Sequence, residues 1–307
     1  MKLLYHSCII FIIVCSCGTN QSTKEKRASG PAVEQQEVDK AFNYEPEKPQ
    51  KGKLNAVIEL GALGLNYFII SIDAQGRWDL KKAKYGRSNL IYGVNSTAEI
   101  TAKINEFKNE IINFGVAGKD IHLLASSSVV KTDQVSVLNE KLKSLNLKIK
   151  SINADMEAQY ALMATIPREF IEESFLVDIG SGNTKISWVQ DTDTLSIEIH
   201  GSKYFLSDVQ DTTVFREVRD AILEVPTQNR NLCFVLGGMI YEFVKDEINS
   251  SEKRYFVLDP PDAYPIDNEK LKAAYVIYNA LYLEPTYSYI FDSKSNFSIG
   301  YLISLKK

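Results

Sequence analysis

The chain has 307 residues, 45% of them hydrophobic and 24% charged, with a formal net charge of -4. That composition can bury a core and excludes a chain that is mainly disordered. The acidic balance excludes nucleic acid as the default partner, because neutralising phosphates needs a basic surface.

In chain order, Lys2 precedes the apolar run CIIFIIV (8–14), which is too short to span a bilayer and reads as the core of a signal peptide. The run ends in VCSC, where Ser16 directly before Cys17 and Val14 three positions before it resemble the lipobox of bacterial lipoproteins. That resemblance implies cleavage before Cys17, acylation there, and an exported chain held at the cell envelope by a lipid anchor. A plain signal peptide or an N-terminal anchor is the alternative. If Cys8 and Cys15 leave with residues 1–17, Cys233 remains as the sole unmodified cysteine, inside the apolar LCFVL, and reads as a small buried hydrophobe. Residues 18–53 are polar, carry three prolines and lack apolar periodicity, which predicts a disordered tether and a folded body that starts near Leu54.

From Leu54 the pattern predicts strands at 54–60, 66–73 and 77–83, then a helix over 96–114 with a Ser96/Glu99 capping box and a Gly115 stop. A strand at 121–125, a helix at 132–145, a strand at 147–152 and a helix at 154–165 complete a βββαβαβα unit. The order then restarts, with strands at 174–179, 184–190 and 195–200, a helix near 208–224, a strand at 232–236, a helix near 239–249, a strand at 255–259 and a helix near 268–282. A closing hairpin is expected over 287–303. The two starts align, AVIELGALGLNYFII beside FLVDIGSGNTKISW, with Glu59 opposite Asp178 and Gly61 opposite Gly180. A tandem α/β repeat follows, with a first lobe at 54–166 and a second at 167–307.

A strand, an acid, a glycine-rich turn and a second strand form a hairpin whose amides can face phosphate oxygens. Two such hairpins make a clamp. Here the sequence resembles the actin, sugar kinase and heat-shock ATPase superfamily, and within it the exopolyphosphatases and guanosine pentaphosphate phosphatases of the Ppx/GppA family. NAVIELGALGLNYFIISI and FLVDIGSGNTKISWV are similar to its two phosphate motifs, and residues 121–164 to the stretch leading to its glutamate-bearing helix. After residue 200 the likeness rests on HGSKYF and on VLGGMIYEF with Gly237 and Gly238.

The resemblance implies two ribonuclease-H-like lobes of the actin-like ATPase fold with an interlobe cleft. It implies Mg²⁺ or Mn²⁺ held near Glu59 and Asp178. Phosphate would lie on Gly61, Gly180, Ser181, Gly182, Asn183 and Thr184, with Thr184 offering its hydroxyl, while Glu157 activates water against a phosphoanhydride such as polyphosphate or guanosine pentaphosphate. Gly237 and Gly238 either permit a tight turn or bind an anion at a helix N-terminus.

The sequence departs from the family at several of these places. DxGSNS has become ELGALG, with Leu63 and Gly64 for polar residues; Ser181 stands for a glycine, Asn183 for a serine and Lys185 for the usual glutamate. Met156 fills the place of a second glutamate, Asn153 and Ala154 those of a serine and glycine, and Val130 that of an arginine, whose charge Lys131 could supply. These losses keep a second reading open: a catalytically inactive phosphate-binding or scaffolding lipoprotein that retains the fold. A filament-forming actin relative is a third reading, and the oligomeric state is left open between monomer and homodimer. His122 and His200 have no metal-ligand spacing and read as core or surface histidines.

Overall fold

A computed structural model describes residues 42–61, 64–87, 96–130, 134–282, 286 and 288–306. Cys17, the signal segment, Leu63 and Lys131 lie outside the described residues. The described residues form one compact unit.

Its first sheet has the order β3-β2-β1-β4-β5, built from β1 (Lys53–Leu60), β2 (Gly64–Ile72), β3 (Trp78–Arg87), β4 (Ile121–Ala125) and β5 (Ile149–Ser151). The first three pair antiparallel, and β4 and β5 add parallel to β1. A strand covered on both faces reads as a continuous apolar run rather than an alternating one. AVIEL in β1 is such a strand, buried from Asn55 onward. Helix α1 (Thr97–Phe114) starts at the expected capping box, with Ser96 Oγ accepting from Glu99 N at 3.2 Å and Glu99 Oε2 accepting from Ser96 N at 2.7 Å. Its buried stripe Ile100, Ile104, Phe107 and Ile111 packs on the outer face of this sheet. After β4 come a short helix α2 (Ser127–Val130) and α3 (Gln134–Leu142), whose Leu138 and Leu142 join the same core.

The second sheet repeats the plan as β8-β7-β6-β9-β11 with an added edge strand β10. Its members are β6 (Ser174–Ile179), β7 (Asn183–Gln190), β8 (Asp193–His200), β9 (Leu232–Leu236), β10 (Tyr255–Val257) and β11 (Ser288–Asp292). Helices α5 (Asp211–Glu224), α6 (Gly238–Asn249) and α7 (Glu269–Leu281) cover its outer face, where Cys233 is buried as expected.

The end of the repeat differs from the sequence reading. The run at 255–259 supplies only an antiparallel edge strand, and β11 takes the fifth place, parallel to β9. The second arm of the expected hairpin is instead helix α8 (Phe297–Ser304), capped by Asn296, whose side chain accepts from Ser298 N at 2.7 Å. Phe297 through Ile303 are all buried. A helix apolar on every side loses its 3.6-residue period, so its sequence cannot be told from a strand.

Helices α4 (Ala154–Thr165) and α8 fill the space between the sheets. Each crosses to the other half: α4 packs on β6, β7 and β8, whereas α8 packs on β1 and β2. The helix that ends the chain therefore belongs to the first sheet's packing, not to the second lobe alone. The two helices also pack on each other. At the crossing a Cβ on Gly300 would collide with the carbonyl of Tyr160.

Residues 42–52, expected to be part of the tether, instead contact the folded body. Phe42 packs edge-on against Phe234 and Tyr255, and Tyr44 against Phe170. Further on, Gln50 N donates to Asp73 Oδ2 at 2.9 Å at the β2–β3 turn. Residues 42–52 thus run from the second sheet to the first. Phe42 and Tyr44 are the aromatic residues of the 18–53 stretch; both are half-buried, and their rings give this end apolar contacts with the body. No helix among the described residues is long and apolar enough to cross a membrane.

Candidate functional site

Strand register sets out the site. Across the first sheet, Glu59 pairs with Asn66 on β2, and Asn66 pairs with Tyr85 on β3. Across the second, Asp178 pairs with Lys185 on β7, and Lys185 with Glu198 on β8. The alignment of Glu59 with Asp178 is therefore matched by the register of both sheets. Alternation turns Glu59 away from Ile58 and Leu60 of the outer core, and Asp178 away from Val177 and Ile179. Both acids face the inner layer of α4 and α8.

Glu59 is buried and accepts from Ser298 Oγ on α8 at 3.0 Å and, more weakly, from Asn66 Nδ2 at 3.4 Å. Burial pushes its carboxyl up to about 7; the Ser298 hydrogen bond opposes this, while the charges of Glu157 and Asp178 add to it. Asp178 is raised to about 6, again by burial first, with Lys185 pulling it down and Glu157 pushing it up. The three carboxylates thus sense one another across two sheets.

Glu157 sits in the first turn of α4, whose N-cap Asn153 accepts from Met156 N at 2.8 Å. Its Oε1 accepts from Ser127 N at 3.1 Å, and its Oε2 accepts from Ser127 Oγ at 2.6 Å. Lys185 Nζ lies 2.7 Å from the same Oε2, and also donates to Asn183 Oδ1 at 3.1 Å. With Glu157 3% and Lys185 6% exposed, this is an ion pair removed from water. Lys185 was visible in the sequence only as a departure from the family. The signal that finds it is a lysine at an inward position of an otherwise buried strand, where an ammonium needs a partner.

The second loop is held from beneath. Ser202 N and Ser202 Oγ both donate to Gly180 O, at 2.9 and 3.0 Å, and Lys203 N donates to Ser181 O at 3.1 Å. Gly201 lies so close under the loop that a Cβ there would meet the backbone of Gly180, Gly182 and Asn183. Sequence reasoning quoted this stretch without assigning Gly201 a part. Thr184 is corrected: it shares the face of β7 that carries Ile186 and Trp188 into the outer core, it is fully buried, and its Oγ1 has no hydrogen-bond partner among the described residues. Its hydroxyl lies on the opposite face from Lys185 and is not offered to the site.

In the first loop, Gly61 N donates to Gly64 O at 2.8 Å, closing a tight turn. Gly237 follows β9 with φ +131°, and a Cβ there would meet Ile179 O at 2.5 Å, so this glycine serves close packing. Gly238 begins α6, a helix with no side-chain cap at its N-terminus. Strands β1 and β4 run parallel, as do β6 and β9, so within each sheet the loops after them emerge at one end. The histidines are as expected: His122 packs edge-on against Tyr301, and the exposed His200 pairs with Glu217 at 2.7 Å.

The residues present do not fit a divalent cation held by Glu59 and Asp178. Among the described residues no three His, Cys, Asp or Glu side chains are placed to hold a metal. Lys185 adds a second obstacle. At about 4 Å and an effective dielectric of about 20, an ammonium repels a divalent cation by roughly 8 kcal/mol, which cancels the attraction of one carboxylate at the same distance. A cavity of about 780 Å³ lies away from these acids, beside residues 44–47, with Trp78, Arg168 and Arg254 in its wall.

No protein-family model matches the chain, and no curated protein does. Solved structures do. An exopolyphosphatase from Cytophaga hutchinsonii superimposes with a TM-score of 0.65 at 13% identity, over 83% of this chain and 98% of that one. The Aquifex aeolicus PPX-GPPA enzyme gives 0.64 at 16% identity over 82% and 99%, and another structure of the Aquifex aeolicus family member 0.63 at 14% over 82% and 97%. At such identities the likeness establishes architecture and not chemistry. With its duplicated sheets, swapped helices and paired acids, this chain has the actin-like fold of the Ppx/GppA structures.

Proposed function

We propose that this protein binds a phosphate-bearing anion between its two lobes and does not hydrolyse it. The observation that carries the reading is the state of Glu157, the residue that would have to serve as base. Its carboxylate accepts two hydrogen bonds from Ser127 and is ion-paired with the buried Lys185. Each of these donors occupies a carboxylate lone pair that a general base would need free for water. Anion binding is supported by the glycine loop at 180–182, whose Gly180 and Ser181 carbonyls are committed to Ser202 and Lys203, and by the N-terminus of α6, which has no side-chain cap. The ligand class, inorganic polyphosphate or a phosphorylated nucleotide, rests on the fold likeness alone.

A hydrolase is the second reading. It is favoured by Glu157 Oε1, which accepts a hydrogen bond from Ser127 N and keeps a lone pair that a water could approach. Calorimetry with tripolyphosphate beside a phosphate-release assay separates the two. Binding without release, in both the native protein and Glu157→Gln, is the expected result; release that vanishes in Glu157→Gln overturns it and makes Glu157 the base.

The lipobox-like VCSC further supports an exported protein held at the cell envelope through Cys17. Cys17→Ala should move the protein from the membrane fraction to the soluble fraction. Retention in the membrane fraction sinks the anchor.

A further inference from the structure

Carboxylates from three elements, Glu59 on β1, Asp178 on β6 and Glu157 on α4, interact across the junction of the two sheets. Clusters of this kind are relieved by a proton on one member or by a cation beside the others. Lys185 supplies the cation: its register partner is Asp178, and its ammonium is 2.7 Å from Glu157 Oε2 and 3.1 Å from Asn183 Oδ1. The matching place in the first half is the neutral Asn66, so the charge belongs to the second half of the repeat and is not a consequence of the duplication. Two of the three acids already carry donors on their oxygens, Glu157 from Ser127 and Lys185, and Glu59 from Ser298 and, weakly, Asn66.

We propose that the Lys185 ammonium is the resident cation of this junction, standing beside Glu157 and Asp178 where a divalent metal would otherwise be needed, so that the protein holds its phosphate-bearing ligand without a metal ion. The ligand half of this statement rests on the binding reading above; the cation half does not.

The test is Mn²⁺ uptake by the full chain in detergent, read from loss of the free-ion electron paramagnetic resonance signal, with folding checked by circular dichroism. The native protein should leave millimolar Mn²⁺ free. Lys185→Glu should take up Mn²⁺ at least tenfold more tightly, and adding Asp178→Asn should abolish the gain. Should Lys185→Glu fail to fold, Lys185→Met decides, since removing the charge also removes the repulsion. Uptake by the native protein that is lost in Asp178→Asn overturns the proposal, as does a folded Lys185→Glu or Lys185→Met without gain. In a second arm, tripolyphosphate affinity should be the same with and without EDTA, and a loss with EDTA overturns metal independence. If tripolyphosphate does not bind at all, the binding reading and the ligand half fail together, and the Mn²⁺ arm still decides the cation half.

Discussion

Glu59 and Glu157 are both buried acids, yet they are kept in different ways. Glu157 has an ammonium and the N and Oγ donors of Ser127, whereas Glu59 has one strong hydrogen bond and two like charges for neighbours. Removing one member of a buried pair such as Lys185–Glu157 leaves an uncompensated charge, which costs about 3–5 kcal/mol. Glu59 instead adjusts by holding its proton. Its folded pKa of about 7 is above the ordinary 4.5, so the native state binds more protons than the unfolded chain between those values. The sign follows: its contribution to stability is full below about pH 4.5 and is lost as pH rises through 7, by at most about 3 kcal/mol. Glu59→Gln keeps an acceptor for Ser298 and removes the titration. Thermal unfolding of this variant should exceed that of the native protein at pH 8 and match it near pH 5; an equal difference at both pH values would contradict the assignment.

At the scale of elements, the α4–α8 crossing ties the halves together. Each helix is the last of its repeat and packs on the opposite sheet, so neither sheet's inner face is covered without the other half. Gly300 sets how near the helices come, because its Cα faces the Tyr160 carbonyl with no room for a methyl group. Gly300→Ala must push α8 away from α4 and disturb Ser298, two residues earlier, along with its hydrogen bond to Glu59. Overpacking of this kind costs about 1–3 kcal/mol. A lower urea midpoint with an unchanged slope is expected; a midpoint equal to the native one would mean that the helices do not cross this closely. Gly238→Ala, where an added Cβ meets nothing, is the matched control.

For the whole molecule, residues 42–52 alter where the body begins. Phe42 and Tyr44 lie on Phe170, Phe234 and Tyr255, while Gln50 reaches Asp73 beyond β2. Loss of the proposed anchor should therefore release the body without loosening it. Cys17→Ala, besides leaving the membrane fraction, should unfold at the same temperature as the anchored protein, because the contacts of residues 42–52 with the body remain. A lower unfolding temperature would show that the lipid end contributes to the fold.

The sequence by itself determined the repeat, the place of nearly every strand and the pairing of Glu59 with Asp178. These are local: capping residues, apolar runs and turn glycines act over a few positions, and the acids follow their strands by counting. It also placed Glu157 at the head of α4. Only the tertiary structure decided what Glu157 touches, since Ser127 is 30 residues away and Lys185 lies in the other sheet. It likewise decided that Thr184 faces the core, that the last segment is a helix lodged between the sheets, and that Phe42 belongs to the body. In each case the deciding contact joins residues distant in sequence, and burial on all sides removes the periodicity by which an element announces itself. Whether a lysine in a strand is a surface charge or a resident cation depends on which carboxylates the other half of the chain brings to it.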